Sequence, residues 1–127
     1  GLVLTAKKDR LSALCGAFTA SIGTAVAWCY LMNGTLEQMD MCVQNMIANL
    51  SGIICDGAKC TCALKIHSCL EAAATAVTLA MENKAPREVG IAKQSSEESI
   101  EALSRLSHEG MIATDKTILD IMMNQQC

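Results

Sequence analysis

Aromatic rings are nearly missing from this chain. Of 127 residues only Phe18, Trp28 and Tyr30 carry one, so there is no stacking platform for bases or sugars. Positive charge is also scarce. Ten Lys and Arg stand against thirteen Asp and Glu, a net charge of −3, and no basic face is available to hold nucleic acid or anionic lipid. Proline occurs once, at Pro86. Alternation at period two, the mark of half-buried strands, appears nowhere over a useful length. What remains is 51% hydrophobic, which excludes global disorder. It is drawn from Ala, Leu, Ile, Val, Met, Cys and Gly, the residues of closely packed helices rather than of sheets. The expected fold is all-α, a compact bundle of about five helices around a central apolar, small-residue helix. Residues 1–127 are enough for a single domain.

Charge is unevenly spread. Residues 1–81 hold ten charged side chains, four of them at Lys7, Lys8, Asp9 and Arg10, and residues 82–127 hold thirteen. Leu11 to Leu36 is uncharged and long enough to be tested as a membrane span. It includes Ser12, Thr19, Ser21, Thr24, Asn33 and Thr35 and the glycines Gly16, Gly23 and Gly34. The similarly apolar Cys62–Met81 carries Lys65, His67 and Glu71, which are costly in lipid. No cleavage context marks a signal peptide. The stretch is therefore read as a central helix surrounded by protein on all sides, with Gly16, Ala20, Gly23 and Ala27 as a narrow face for close helix approach. No membrane partner is expected, and the location is cytoplasmic.

The pattern predicts a first helix from about Asp9 to Met32, stopped by Asn33-Gly34. Thr35-Leu36-Glu37-Gln38 has the form of a capping box. It opens a second helix to Leu50 with Leu36, Met39, Val43, Met46, Ile47 and Leu50 at helical spacing. Gly52, Asp56 and Gly57 break the pattern into a turn. A third helix runs to about Met81 with Ile66, Leu70, Ala73, Val77 and Met81 as a buried stripe. Residues 83–94 form the one long loop, the expected site of disorder or proteolysis. Ser95-Ser96-Glu97-Glu98 is a second capping box, and its helix turns Ile100, Leu103 and Leu106 to the core. A last helix begins between Glu109 and Thr114 and buries Ile118, Leu119 and Met122. Gly1 is not an initiator methionine, so the expectation is a removed leader or a piece of a longer protein.

Eight cysteines exceed ordinary cytosolic usage without reaching the density of disulfide scaffolds. Cys29, Cys42 and Cys69 lie in apolar helical stretches and read as small buried hydrophobes. Cys55, Cys60 and Cys62 surround a glycine-bearing turn, where backbone can approach a ligand closely and amides near a helix start favour an anion or thiolate. In a helix Cys60 and Cys62 would point about 200° apart, so both do not reach one centre. The C-x4-C-x-C spacing matches no standard zinc pattern. On spacing alone, a cluster site and plain buried thiols both stand.

Three stretches resemble motifs of the serine dehydratase alpha-chain superfamily, closest to its L-cysteine desulfidase and related branch. They are Arg10-Leu11-Ser12-Ala13-Leu14-Cys15-Gly16, Asn45 to Lys59 with its Cys55-Asp56-Gly57-Ala58-Lys59 ending, and Cys62-Ala63-Leu64-Lys65. The resemblance extends through His108 to Met122. It implies a lyase that uses an oxygen-sensitive 4Fe–4S cluster and no pyridoxal phosphate. Family enzymes are about three times this length, so this chain resembles their C-terminal, cluster-carrying part. In the desulfidase branch three cysteine ligands are separated by forty and then seven positions. The resemblance thus implies Cys15, Cys55 and Cys62 as ligands and leaves Cys60 as an extra thiol.

Three thiolates on four irons leave one iron open, a Lewis acid toward the β-thiol or β-hydroxyl and the carboxylate of a small amino acid. Elimination then gives pyruvate and ammonia, with sulfide if cysteine is the substrate. No residue is an obvious base. The resemblance assigns that role to an N-terminal region or partner chain, and the isolated chain need not keep cluster or activity. Asn45, Asn49 and Ser51 are candidates to orient a substrate carboxylate, with capping as the competing role. Lys59 and Lys65 are candidates to balance cluster charge, with solvent exposure as the simpler account. His67 reads as a packed or surface histidine, His108 as a helix-junction residue. Cys127 offers a thiol that could reach the open iron as a fourth ligand, against the plainer reading of a frayed terminus. Homo-oligomerisation is left open. The competing reading of the chain is a non-catalytic helical oligomerisation or scaffold module with buried free thiols.

Overall fold

The computed structural model of the chain describes residues 13–125. Its helices are α1 (Gly16–Leu31), α2 (Leu36–Leu50), α3 (Cys62–Met81), α4 (Ser96–Arg105) and α5 (Ile112–Met123). A π-helical turn at Leu106–Gly110 joins α4 to α5. Among the described residues there is no strand, only the isolated bridges Leu14–Ile54 and Val89–Ala92. No helix of the described residues is long and apolar enough to cross a membrane. The all-α expectation holds.

Helices α1, α2 and α3 pack on one another in every pairing, and α4 lies against α2. Phe18, Met46, Ile47, Cys29, Cys42, Cys69, Ala73 and Leu103 fill the space between them. The turn from α1 to α2 uses two residues for two different tasks. Asn33 takes a left-handed φ of 61°, which asparagine tolerates better than most residues. Gly34 is there for room, because a Cβ would collide with the Cys29 sulfur and carbonyl. Its amide donates to the Cys29 carbonyl at 2.8 Å, closing the helix end. The predicted capping box forms in full: Gln38 N–H donates to Thr35 Oγ1 (3.1 Å) and Thr35 N–H to Gln38 Oε1 (2.9 Å). At α4 the Ser95 hydroxyl accepts from the Glu98 amide at 3.2 Å.

Four expectations need correction. The helix that ends at Leu31 begins at Gly16, because Ala13 to Cys15 run extended so that Leu14 can pair with Ile54; the expected start near Asp9 lies outside the described residues. The helix is not enclosed on all sides. Phe18, Thr19, Ser21, Ile22, Ala25 and Cys29 are buried, whereas Gly16, Ala20 and Ala27 face outward. In α3 the stripe is buried only from Ala73 onward; Ile66 and Leu70 are about half exposed, at 49% and 47%. Helix α5 buries no residue. Ile118 is partly covered, but Leu119 and Met122 are exposed, because no other described helix packs broadly on it.

The 83–94 segment is anchored rather than loose. Gln44 and Asn45, both buried polar residues of α2, reach into it. The Gln44 amide donates to the Lys93 carbonyl at 2.7 Å and the Ser99 hydroxyl donates to Gln44 Oε1. The Asn45 amide donates to the carbonyls of Ala76 (3.1 Å) and Lys84 (3.0 Å). Arg87 donates to Asp40 (3.3 Å) and to the Gln94 carbonyl (2.5 Å). The bonds of Gln44 and Asn45 satisfy polar groups that burial would otherwise penalise.

Candidate functional site

Local chain geometry brings three separate segments to one place. The Leu14–Ile54 bridge is closed by Cys15 N–H donating to the Ile53 carbonyl (3.1 Å) and Cys55 N–H donating to the Ala13 carbonyl. Cys15 therefore lies opposite Ile53 and Cys55 opposite Ala13, so the two cysteines sit on a diagonal across the bridge. From Cys55 the chain turns back through Gly57, whose φ of 99° suits glycine. Cys62 then opens α3. Its sulfur accepts from the Lys59 amide (3.5 Å) and donates to the Gly57 carbonyl (3.6 Å).

Cys15, Cys55 and Cys62 all line one cavity of about 460 Å³ between the start of α1, the turn and the first half of α3. Cys60 does not line it and is exposed; it lies in the turn before α3, so the angle expected between two helical positions does not apply to it. A fourth thiol does line it. Cys69 follows Cys62 by seven residues, two helical turns along the same face, and forms the inner wall. Burial pushes the Cys69 thiol up, and a hydrogen bond with Ser21 partly opposes this. Its spacing from Cys62 was the available signal, and its apolar surroundings concealed it. The small residues Gly16, Ala17 and Ala20 leave the cavity its volume, which explains why the small face of α1 points outward.

Two helix starts border the cavity. Cys15 is the N-cap of α1 and Thr61 that of α3, and neither side chain caps its helix. At α3 the amides of Cys62, Ala63 and Leu64 donate instead to the carbonyls of Lys59, Cys60 and Thr61 at 2.9–3.1 Å. Lys65 is the one lysine or arginine on the cavity wall among the described residues. Its ammonium donates to Asp56 Oδ1 (2.7 Å) and the Ile54 carbonyl (2.8 Å). Asp56 first, and then the nearby Cys15 and Cys55, raise the Lys65 pKa against a burial effect of opposite sign. Asp56 is shared with Lys59, which pairs with Oδ2 at 2.7 Å. The hydrogen bonds from Lys59 and Lys65 hold the Asp56 carboxyl well below the usual range. Neither lysine is simply solvated.

The other candidates lie elsewhere. Asn45 spends its amide on two backbone carbonyls, Asn49 is exposed and Ser51 half-buried, and none of the three lines the cavity. His67 is exposed and pairs with Glu71 at 3.3 Å. His108 sits exposed in the π-helical turn. Cys127 lies outside the described residues. No His, Asp or Glu lines the cavity among the described residues, and its titratable groups there are Lys65 and the four thiols. Likewise, no three His, Cys, Asp or Glu among them are grouped to hold a single metal ion. All seven described cysteines are free thiols.

The sequence pattern of the serine dehydratase alpha chain family matches residues 1–120. The chain belongs to that family. It is 50% identical over 119 residues to a UPF0597 protein of Phocaeicola vulgatus, 44% identical over 119 residues to one of Bacteroides fragilis, and 41% identical over 121 residues to one of Porphyromonas gingivalis. These alignments cover 93–94% of this chain but 28% of each relative. The chain therefore spans little more than a quarter of the length of these family members. No solved structure matches.

Proposed function

We propose that this chain is the cluster-carrying domain of an iron–sulfur amino acid lyase of the L-cysteine desulfidase or L-serine dehydratase type, with Cys15, Cys55 and Cys62 as the three ligands. The observation that carries this reading is the shared cavity: thiols forty and seven positions apart, on three different segments, line one space. The donor set fits a cluster better than a single ion. A lone zinc needs ligands converging on one point at about 2.3 Å, whereas these thiols border a volume. When bound, the cluster supplies an iron with an open coordination position, a Lewis acid for the substrate's leaving group and carboxylate.

The chain's own residues do the remainder. Cys15 and Cys62 stand at the starts of two helices, where the backbone fixes their positions. Gly16, Ala17 and Ala20 leave room beside them for a small amino acid, and Ile66 and Leu70 give the mouth an apolar rim from which water is readily excluded. The α-proton must be taken by a group outside the described residues. The rest of the longer family protein, or a partner chain, is the proposed source of that base, and the half-exposed Ile66 and Leu70 suit coverage by it.

Anaerobic reconstitution with iron and sulfide, followed by metal and sulfide analysis, tests the reading. Wild-type protein is expected to retain about four irons per chain, Cys55→Ala to retain essentially none, and Cys60→Ala to match wild type. Equal loss in both variants would show the ligand set to be wrong.

A further inference from the structure

We propose that Lys65 is the positioning residue of the thiol cavity, holding the three cysteine-bearing segments together and providing the wall's positive charge. The charge role rests on the iron–sulfur reading; the holding role does not. Lys65 lies three residues after Cys62, one turn along the same helix face. Its ammonium leaves α3 and donates to the Ile54 carbonyl and to Asp56 Oδ1 in the turn. Ile54 is itself bridged to Leu14, the residue before Cys15. One side chain thus links the segment of Cys62 to that of Cys55 and, through a single bridge, to that of Cys15.

Lys59 supplies an internal comparison. Both lysines bind the Asp56 carboxylate at 2.7 Å, so both contribute the same charge to the same partner. Lys59 reaches only Asp56, through its carboxylate and its own carbonyl (2.9 Å), from three residues away. It does not line the cavity, and its side chain is 42% exposed against 27% for Lys65. A bond spanning only three residues stiffens the turn locally. A bond from another helix fixes where the turn sits. Two ammoniums on one carboxylate leave a net positive charge beside the thiols, and its inner member is Lys65. Three thiolates and an anionic centre would repel one another without it, and charge next to a cluster sets its reduction potential.

The test uses the whole protein and two readouts, amide hydrogen exchange over residues 53–62 in the metal-free state and iron content after anaerobic reconstitution. Lys65→Met is expected to speed exchange across the segment by about three- to tenfold through local opening. It should also lower iron content below half of wild type and make the potential of any remaining cluster more negative. Lys59→Met is expected to stay close to wild type in both. Asp56→Asn, which removes the carboxylate but leaves Lys65 its bond to the Ile54 carbonyl, should speed exchange above wild type though less than Lys65→Met does, and decides the matter if the methionine variant fails to fold. Unchanged exchange in Asp56→Asn, or in a folded Lys65→Met, would overturn the proposal, as would equal effects from Lys59→Met. If wild-type protein binds no iron, the iron–sulfur reading fails and with it the charge role, while the exchange comparison still decides the holding role.

Discussion

Gly57→Ala is the most searching single change in the turn that carries the thiols. Gly57 has φ of 99°, beyond the small left-handed basin near +60° that L-residues visit. Holding an alanine there costs about 1–3 kcal/mol. A Cβ would also stand 2.5 Å from the terminal methyl of Met122. That methyl is the end of a flexible side chain, so moving it off its rotamer adds only about 0.5–1.5 kcal/mol. The total, about 1.5–4.5 kcal/mol, is large against ordinary domain stabilities. Gly52 is the control: nothing lies within 4 Å of its Cβ position, and Gly52→Ala should be neutral or stabilise by up to about 1 kcal/mol. Urea unfolding of both variants, with the Gly57→Ala/Met122→Ala pair, separates the two causes. The Met122 change should recover only the contact part, leaving the backbone penalty. Gly57→Ala within about 0.5 kcal/mol of wild type, or complete rescue by the second substitution, would refute the backbone argument.

Asn45→Ala removes the donor from the Ala76 and Lys84 carbonyls and should cost about 1–3 kcal/mol. Trypsin should then cut after Lys84 and Arg87 faster than in wild type, and an unchanged cleavage rate would mean the loop is anchored by other bonds. Burial, with Cys29 beside it, pushes the Cys42 thiol up to about 12. An alkylating reagent at pH 8 should therefore modify exposed Cys60 long before Cys42, since a shift of three from the ordinary thiol value lowers thiolate roughly a thousandfold. Because the folded value is the raised one, Cys42 contributes stability below about pH 9 that is lost as pH climbs from about 9 toward 12. A Cys42→Ala variant should show a shallower alkaline decline in melting temperature, and an identical slope would remove Cys42 as its cause.

What the sequence made legible was whatever depends on near neighbours along the chain. The Thr35–Gln38 capping box, the span of α2 and the burial of Cys29, Cys42 and Cys69 follow from spacings of one to four residues. Three features were hidden because each depends on a contact between distant segments. The extended run before Gly16 exists because Leu14 pairs with Ile54, forty residues on, and periodicity alone would have continued the helix through it. The anchored 83–94 loop depends on Gln44 and Asn45, polar residues inside an apolar stripe that reads as ordinary amphipathic helix. The third case has the widest bearing on function. Ile66 and Leu70 satisfy every spacing rule for a buried stripe, yet they border the cavity, and Leu119 and Met122 satisfy it too but stand exposed on a helix that buries nothing. Apolar periodicity says which face wants cover, not what supplies it. The chain spans 28% of its relatives' length, and under the proposed lyase reading one surface is expected to serve two needs: covering those faces and bringing the group that takes the proton. A segment of the longer family protein that restored activity without protecting Ile66 and Leu70 from exchange or labelling would separate the two needs and break that link.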